Sequence, residues 1–200
     1  MKDNSGILVE GHIKIHDPET NKVFVDKRNA IHYENMSIAL AESLSNSGAG
    51  FIYSMSFGNG GTSVDPTGII TYLTPNSTGV NASLYNETYS KVVDDRSINN
   101  TDPYRNKTEV RHVSGTNYTD ILVTCLLDYG EPSGQDAFDT AANVDDLFVF
   151  DELGLRAYSA DGTGLLITHV LFHPVQKSLN RLIQIDYTVR VQSLSGLIGE

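Results

Sequence analysis

Six histidines and several paired carboxylates are the side chains of this sequence that are suited to acid–base or metal chemistry. His12 and His16 lie in an alternating segment, where a spacing of four residues puts them on one face of a strand but about 13 Å apart. His169 and His173 have the same spacing. The sequence contains no His-Glu-x-x-His and no Gly-x-Ser-x-Gly motif. We therefore expect no catalytic site of a familiar type, no metal site and no cofactor.

Carboxylates are concentrated between residues 130 and 152 and include Asp145, Asp146, Asp151 and Glu152. Their spacing differs from that of an EF-hand loop, so we expect solvated side chains, with a bound divalent cation as the alternative. A glycosidase that uses two of these carboxylates is a further alternative, although nothing in the sequence fixes their separation. We expect Asp151 and Glu152 to be structural and to accept hydrogen bonds from backbone N–H groups where their strand begins.

Two other features invite a functional interpretation, and each has a simpler one. Cys125 is the only cysteine and lies in the apolar run 121–127, where a lone thiol is usually a small buried hydrophobe. Gly58, Asn59, Gly60 and Gly61 form a glycine-rich run after a strand pattern, but neither a Lys-Ser/Thr pair nor a helix pattern follows it. The run therefore predicts a sharp turn at the end of a strand and no nucleotide site.

Length and composition predict a single globular domain. The 200 residues are 40% hydrophobic and 20% charged, and no apolar run approaches the roughly 20 residues of a membrane helix. The net charge of -11, without a cluster of Lys and Arg, disfavours nucleic-acid binding because phosphate neutralisation supplies most non-specific affinity. The first residues lack the apolar segment of a secretory signal, so we expect a soluble protein made in the cytoplasm, with no membrane partner.

The clearest predicted element is a strand over residues 183–191, where apolar and polar side chains alternate. Apolar runs at 148–155 and 165–172 precede it and are joined by a turn at Asp161 and Gly162. These three segments predict an antiparallel meander. The apolar run 119–128 predicts a central strand that is covered on both faces.

The N-terminal part predicts a hairpin followed by a helix. Two short strand patterns flank a turn that contains Pro18 and Asn21. Met36, Leu40 and Leu44 then recur at helical spacing, which predicts an amphipathic helix that packs on a sheet by this face.

Together these patterns predict a mainly β fold, antiparallel and sandwich-like, with one N-terminal helix packed on the sheet and a long polar insertion. The predicted layout is a hairpin or arm over 1–28, the helix over 33–45, an extended loop-rich insertion over 58–119, core strands over 120–192 and a tail over 193–200. The insertion carries Tyr72, Tyr85, Tyr89 and Tyr104. Because tyrosine combines a large contact area with a polar tip, these residues suit a contact surface, and the alternative is a solvated loop with half-buried tyrosines.

Several short motifs, taken in order, resemble structural proteins of tailed bacteriophages. They are IYSMSFGNGG at 52–61 with Asp65-Pro66 after it, LYNETY at 84–89, FDELGL at 150–155 with its Gly154, and Asp161-Gly162 before Leu165-Leu166. In that group an N-terminal helix leads to a strand that ends in such a glycine turn, and a hairpin of the form E-I/L-G-L…D-G-x-L comes near the end. The likeness covers roughly residues 29–191.

The resemblance implies a virion protein of the neck, collar, baseplate or fibre-attachment region, which contacts other virion proteins and forms a symmetric homo-oligomer. No repetitive shaft follows Gln192, so an adaptor or collar-like subunit is expected rather than a fibre. The alternative is a carbohydrate-binding module that recognises a host-surface glycan through Tyr53, Tyr72, Tyr85 and Tyr104. Such modules favour Trp, and this sequence has none.

Overall fold

The computed structural model describes residues 6–132, 148–159, 162 and 164–194, and these form thirteen strands and one helix. The strands are, in chain order, β1 Gly6–His16, β2 Val23–Arg28, β3 Ala30–Ile31, β4 Ile52–Gly58, β5 Thr62–Val64, β6 Ile70–Tyr72, β7 Glu87–Val92, β8 Lys107–His112, β9 Tyr118–Leu127, β10 Phe148–Ala157, β11 Leu165–Leu166, β12 Thr168–Lys177 and β13 Ile183–Leu194. The helix α1 spans Tyr33–Leu44. The predictions for Asp145, Asp146 and Asp161 fall outside the described residues.

The strands form two large antiparallel sheets that share one hydrophobic core, which confirms the predicted mainly β, sandwich-like fold. The first sheet has the order β2-β1-β13-β9-β8, and the second has the order β3-β12-β10-β4-β7 with β11 paired to β10. A separate hairpin joins β5 to β6. The core contains Tyr187 and Ile185 from the first sheet and Phe57, Phe150 and Phe172 from the second.

The predicted meander of the last three strands is wrong in one respect. β10 pairs with β12 as expected, but β13 lies in the other sheet, between β1 and β9. The alternation predicted for β13 is confirmed, since Ile183, Ile185, Tyr187 and Val189 are at most 1% exposed. Both β12 and β13 bury their apolar faces in the same core from opposite sides, so the connection at residues 178–182 crosses between the sheets.

The predicted hairpin and helix are confirmed, but the buried face of the helix is rotated from the predicted one. Asn35, Met36 and Ala39 are its buried residues, Leu40 is partly buried, and Leu44 is 85% exposed. Since successive helical residues turn by about 100°, Leu44 lies about 130° from the centre of the buried face.

The segment 58–119, predicted as a loop-rich insertion, contributes strands to both large sheets. β7 pairs with β4 in the second sheet, and β8 pairs with β9 in the first. β9 therefore has the central position predicted for it. Its cover on both faces is complete only near its end, where Cys125, Leu126 and Leu127 are buried.

Candidate functional site

Part of the set singled out in the sequence, namely Asp151, Glu152 and the glycines at 58–61, meets on the outer face of the second sheet. Leu153 and Leu155 of β10 point into the core, as do Met55 and Phe57 of β4. Strand alternation therefore places Glu152 on the opposite face, which is covered by the loops that follow β4 and precede β7.

Glu152 is the centre of this arrangement and is fully buried. Its Oε1 accepts hydrogen bonds from the backbone N–H groups of Gly60 (3.1 Å) and Asn86 (2.8 Å). Its Oε2 accepts bonds from the backbone N–H of Tyr85 (2.9 Å) and from His169 Nε2 (3.0 Å). Burial alone would raise the pKa of Glu152, but these hydrogen bonds outweigh it and lower the pKa. The carboxylate is thus held ionised with both oxygens occupied.

His169 is also fully buried, and both of its ring nitrogens are occupied. Nδ1 accepts a hydrogen bond from the backbone N–H of Asn76 at 2.8 Å, so Nε2 carries the proton that is donated to Glu152. The ring of Tyr85 packs beside it, with centroids 5.7 Å apart. With no free nitrogen and no exposed surface, His169 has the geometry of a structural link and not of a general base.

Asp151 binds the next two amides of the same glycine-rich loop. Its Oδ1 accepts from Gly61 N at 3.0 Å, and its Oδ2 accepts from Thr62 N at 2.9 Å and from the Thr62 hydroxyl. Burial raises the pKa of Asp151, and the bonds from Thr62 and Gly61 oppose that rise.

The predicted role of Asp151 and Glu152 as acceptors of backbone N–H bonds is what the structure shows, but at a different place. The two residues lie in the middle of β10, where the three residues 172–174 of β12 lie opposite the single residue Asp151. This bulge allows two consecutive carboxylates to be buried together. The amides they bind belong to distant loops and not to the start of their own strand.

The glycines at 58–61 are required for close approach and not for a sharp turn. None of Gly58, Gly60 and Gly61 has a positive φ. A Cβ on Gly58 would lie 2.5 Å from Asn86 O and 2.5 Å from Glu152 Oε1, and a Cβ on Gly60 would lie 2.8 Å from Asn86 N. The absence of side chains lets the loop reach the buried carboxylates.

Two buried polar residues near the start of α1 hold the loop before β7. His32 Nε2 donates to Gly79 O at 3.1 Å, and Asn35 Nδ2 donates to Val80 O at 3.3 Å and to Leu166 O at 3.0 Å. His32 also caps the helix, since its Nδ1 accepts from Asn35 N. Sequence patterns did not single out His32 or Asn35 for this role, because His32 precedes the helix and Asn35 lies outside the predicted face of Met36, Leu40 and Leu44.

The four tyrosines predicted as interface residues have different environments. Tyr72 and Tyr104 are 51% and 89% exposed. Tyr85 is partly exposed, and its hydroxyl donates to Thr74 O at 2.6 Å. Tyr89 is partly buried and packs against the core rings of Phe57 and Phe148, and burial raises its pKa. Tyr89 is therefore a partly buried residue that packs against the core, which is the environment of the alternative, a half-buried tyrosine.

An open cleft of about 520 Å³ lies beside the buried carboxylates on the same sheet. Its lining comprises Tyr53, Ser54, Glu87, Ser90, Val92, Arg156, Ala157, Tyr158, Ser159, Gly162 and Gly164. The rings of Tyr53 and Tyr158 meet edge to face, with centroids 5.3 Å apart. Arg156 Nε donates to Ser56 Oγ at 3.1 Å and to Glu87 at 3.2 Å. The cleft thus combines aromatic rings with a charged pair, a combination that suits a polar ligand with an apolar face.

A second group of charges closes the end of the sandwich near β12. Lys177 is 1% exposed, and its Nζ donates to Asp128 O and to Ser178 O, both at 2.9 Å. Burial lowers the pKa of Lys177 to about 8. Lys91 Nζ donates to Leu126 O at 2.7 Å and pairs with Glu131. No sequence motif marks either lysine.

The remaining candidates lie apart from one another. His12 pairs with Asp26 and His16 with Asp186, each at 2.9 Å. Cys125 is fully buried, and burial raises the pKa of its thiol to about 12. In the part of the chain that the structure describes, no three His, Cys, Asp or Glu side chains are grouped to hold a metal ion. No helix in that part has the length and apolar character needed to cross a bilayer.

Comparison of the chain with models of protein families, with curated proteins and with solved structures finds no match.

Proposed function

We propose that this chain is a structural subunit of a tailed-phage particle, located in the neck, collar, baseplate or fibre-attachment region and acting through protein–protein contacts. One observation carries the proposal: three of the motif segments that resemble phage structural proteins meet at a single residue. Glu152, from DELGL, binds Gly60 of the GNGG turn and both Tyr85 and Asn86 of LYNETY. The three segments thus belong to one structural unit.

The chemistry of this unit supports a building block. All four acceptor positions of Glu152 are taken up by internal bonds, and both nitrogens of His169 are occupied. A group arranged in this way fixes loops to the sheet and presents no reactive atom to a substrate.

The surface is compatible with contacts between subunits. Large apolar side chains are exposed at Leu44 (85%), Ile98 (98%), Tyr104 (89%) and Val110 (71%). Exposed apolar groups are suited to burial against neighbouring subunits.

Sedimentation equilibrium of the purified protein, together with mass spectrometry of gradient-purified particles, tests the proposal. We expect an oligomer in solution and peptides of the chain in particles of the phage whose genome encodes it. A protein that stays monomeric at high concentration and is missing from such particles contradicts the proposal.

The open cleft favours a second candidate function, carbohydrate binding. Tyr53 and Tyr158 provide aromatic faces for sugar stacking, and Glu87 and Arg156 provide hydrogen-bonding groups beside them. A glycan array tests this function with Tyr53→Ala, and Tyr104→Ala serves as an exposed control outside the cleft. Binding that is lost only in Tyr53→Ala supports carbohydrate recognition, and an array without signal for the unmodified protein rules it out.

A further inference from the structure

Strand β8 is an edge of the first sheet as far as the structure describes the chain. Among the described strands it is the last in the order and pairs with β9 alone. Within the described ranges, no backbone group outside β9 bonds to the backbone of Lys107–His112. Alternate N–H and C=O groups along its outer side are therefore available to an additional strand.

The side chains of β8 have a pattern that selects a partner. Lys107, Glu109 and Arg111 share one face, since Glu109 contacts Lys107 Nζ at 3.1 Å and Arg111 at 3.7 Å. Val110 lies on the other face, in register with the partly buried Ile121 of β9, and is 71% exposed. The edge thus presents alternating charges on one face and an apolar side chain on the other.

A second copy of β8 complements this edge when the two strands run antiparallel about a two-fold axis perpendicular to the sheet. Such an axis keeps equivalent side chains of the two copies on the same face of the joined sheet. The residue at the axis must therefore lie opposite the same residue of the partner strand. Pairing centred on Glu109 or on Arg111 places like charges opposite each other. Pairing centred on Val110 places Glu109 opposite the partner's Arg111 twice and brings the two Val110 side chains together.

The register centred on Val110 also uses most of the strand. It pairs residues 108–112 of each copy, whereas a register centred on Thr108 pairs only residues 107–109 within β8. Opposite charges and apolar groups at directly opposed positions both stabilise an antiparallel pair.

We infer that β8 pairs with β8 of a second copy in the register centred on Val110, which joins the five-stranded sheets of two subunits into one continuous sheet. The inference goes beyond the proposed function, because it holds whether or not the chain belongs to a virion. The opposite interpretation is that Lys107, Glu109 and Arg111 protect the edge from pairing, as charges on edge strands often do.

Cysteine cross-linking tests the register directly. In an antiparallel pair the Cβ atoms of directly opposed residues are about 4.5–5.5 Å apart, close to the separation in a disulfide. The native Cys125 is fully buried, so we expect it to form no cross-link. We expect Val110→Cys to form a disulfide-linked dimer on mild oxidation, whereas Ile98→Cys, at a 98% exposed position outside β8, stays monomeric. Equal cross-linking of both variants, or of neither, overturns the inference.

A charge exchange tests the same contact without cysteine. Glu109→Arg sets like charges opposite each other at two places in the dimer, so we expect its dissociation constant to rise roughly tenfold or more. The double variant Glu109→Arg/Arg111→Glu restores opposite charges in the same register and should restore dimerisation. Sedimentation equilibrium measures the constants, and circular dichroism verifies that each variant is folded.

A folded double variant that dimerises no better than Glu109→Arg overturns the register centred on Val110. Failure of β8 pairing leaves the virion proposal intact, because other surfaces can join subunits. Particles that lack the chain would contradict the virion proposal but not the pairing of β8. The two proposals can therefore be refuted independently.

Discussion

Replacing Glu152 by Gln tests whether this carboxylate holds the loops on the second sheet. The carboxylate accepts two hydrogen bonds at each oxygen, from Gly60 and Asn86 at Oε1 and from Tyr85 and His169 at Oε2. In either orientation, the amide of glutamine places an NH₂ group against two donors. Two buried N–H groups therefore lose their acceptor whichever way the side chain turns.

The expected loss of stability follows from these bonds. An unsatisfied buried donor costs about 1–3 kcal/mol, so two of them lower the free energy of unfolding by about 2–6 kcal/mol. This is a large part of the roughly 5–15 kcal/mol that stabilises a typical domain. Glu10→Gln is the matched control, because Glu10 lies on the surface, where it pairs with the exposed Arg28 at 3.5 Å and lies opposite Arg190, and its replacement should change stability by less than about 1 kcal/mol.

Urea unfolding followed by far-ultraviolet circular dichroism measures both variants at neutral pH. A decrease for Glu152→Gln of less than about 1 kcal/mol, similar to that for Glu10→Gln, would refute the view that Glu152 anchors these loops. Limited proteolysis gives a second readout, since release of the loops should expose residues 58–62 and 74–86 to cleavage.

Three further substitutions probe other parts of the structure. Burial lowers the pKa of Lys177 from 10.5 to about 8. Between pH 8 and 10.5 the folded state therefore binds fewer protons than the unfolded state, so the free energy of unfolding should rise with pH by up to about 3 kcal/mol. The rise should be absent in Lys177→Met, as urea titrations at several pH values will show. Gly154→Ala places a Cβ 2.6 Å from a backbone carbonyl and should cost about 1–3 kcal/mol in urea unfolding, whereas Gly6→Ala, with its nearest atoms at 3.9 Å, should cost little. Tyr89→Ala should lower the thermal unfolding midpoint by several degrees and the 89% exposed Tyr104→Ala should leave it nearly unchanged; equal effects would contradict the packing of Tyr89 against the core.

The elements that sequence patterns predicted well are those whose burial follows local periodicity. The alternating side chains of β13 are buried as predicted, from Ile183 to Val189. Its pairing was not predictable in the same way, because β13 bonds to β1, which lies at the opposite end of the sequence. Local alternation determines which face of a strand is buried but does not determine its neighbours.

The buried polar groups also show that local sequence patterns do not predict long-range contacts. Asp151 and Glu152 are expected from the sequence to accept backbone N–H bonds where their own strand begins, but their burial depends on amides from the distant residues 60–62 and 85–86. Lys177 is buried because backbone carbonyls of Asp128 and Ser178 converge on it. These contacts form only when the two sheets assemble, so a local sequence pattern does not predict which groups they join.

Immunogold electron microscopy of purified particles, with an antibody raised against the folded chain, tests the proposed function most directly. A structural subunit of the neck, collar, baseplate or fibre-attachment region predicts gold at one defined place on the particle, in a repeated arrangement that reflects a symmetric assembly. Particles that remain unlabelled, while the same antibody binds the purified protein, would contradict a structural role in the virion.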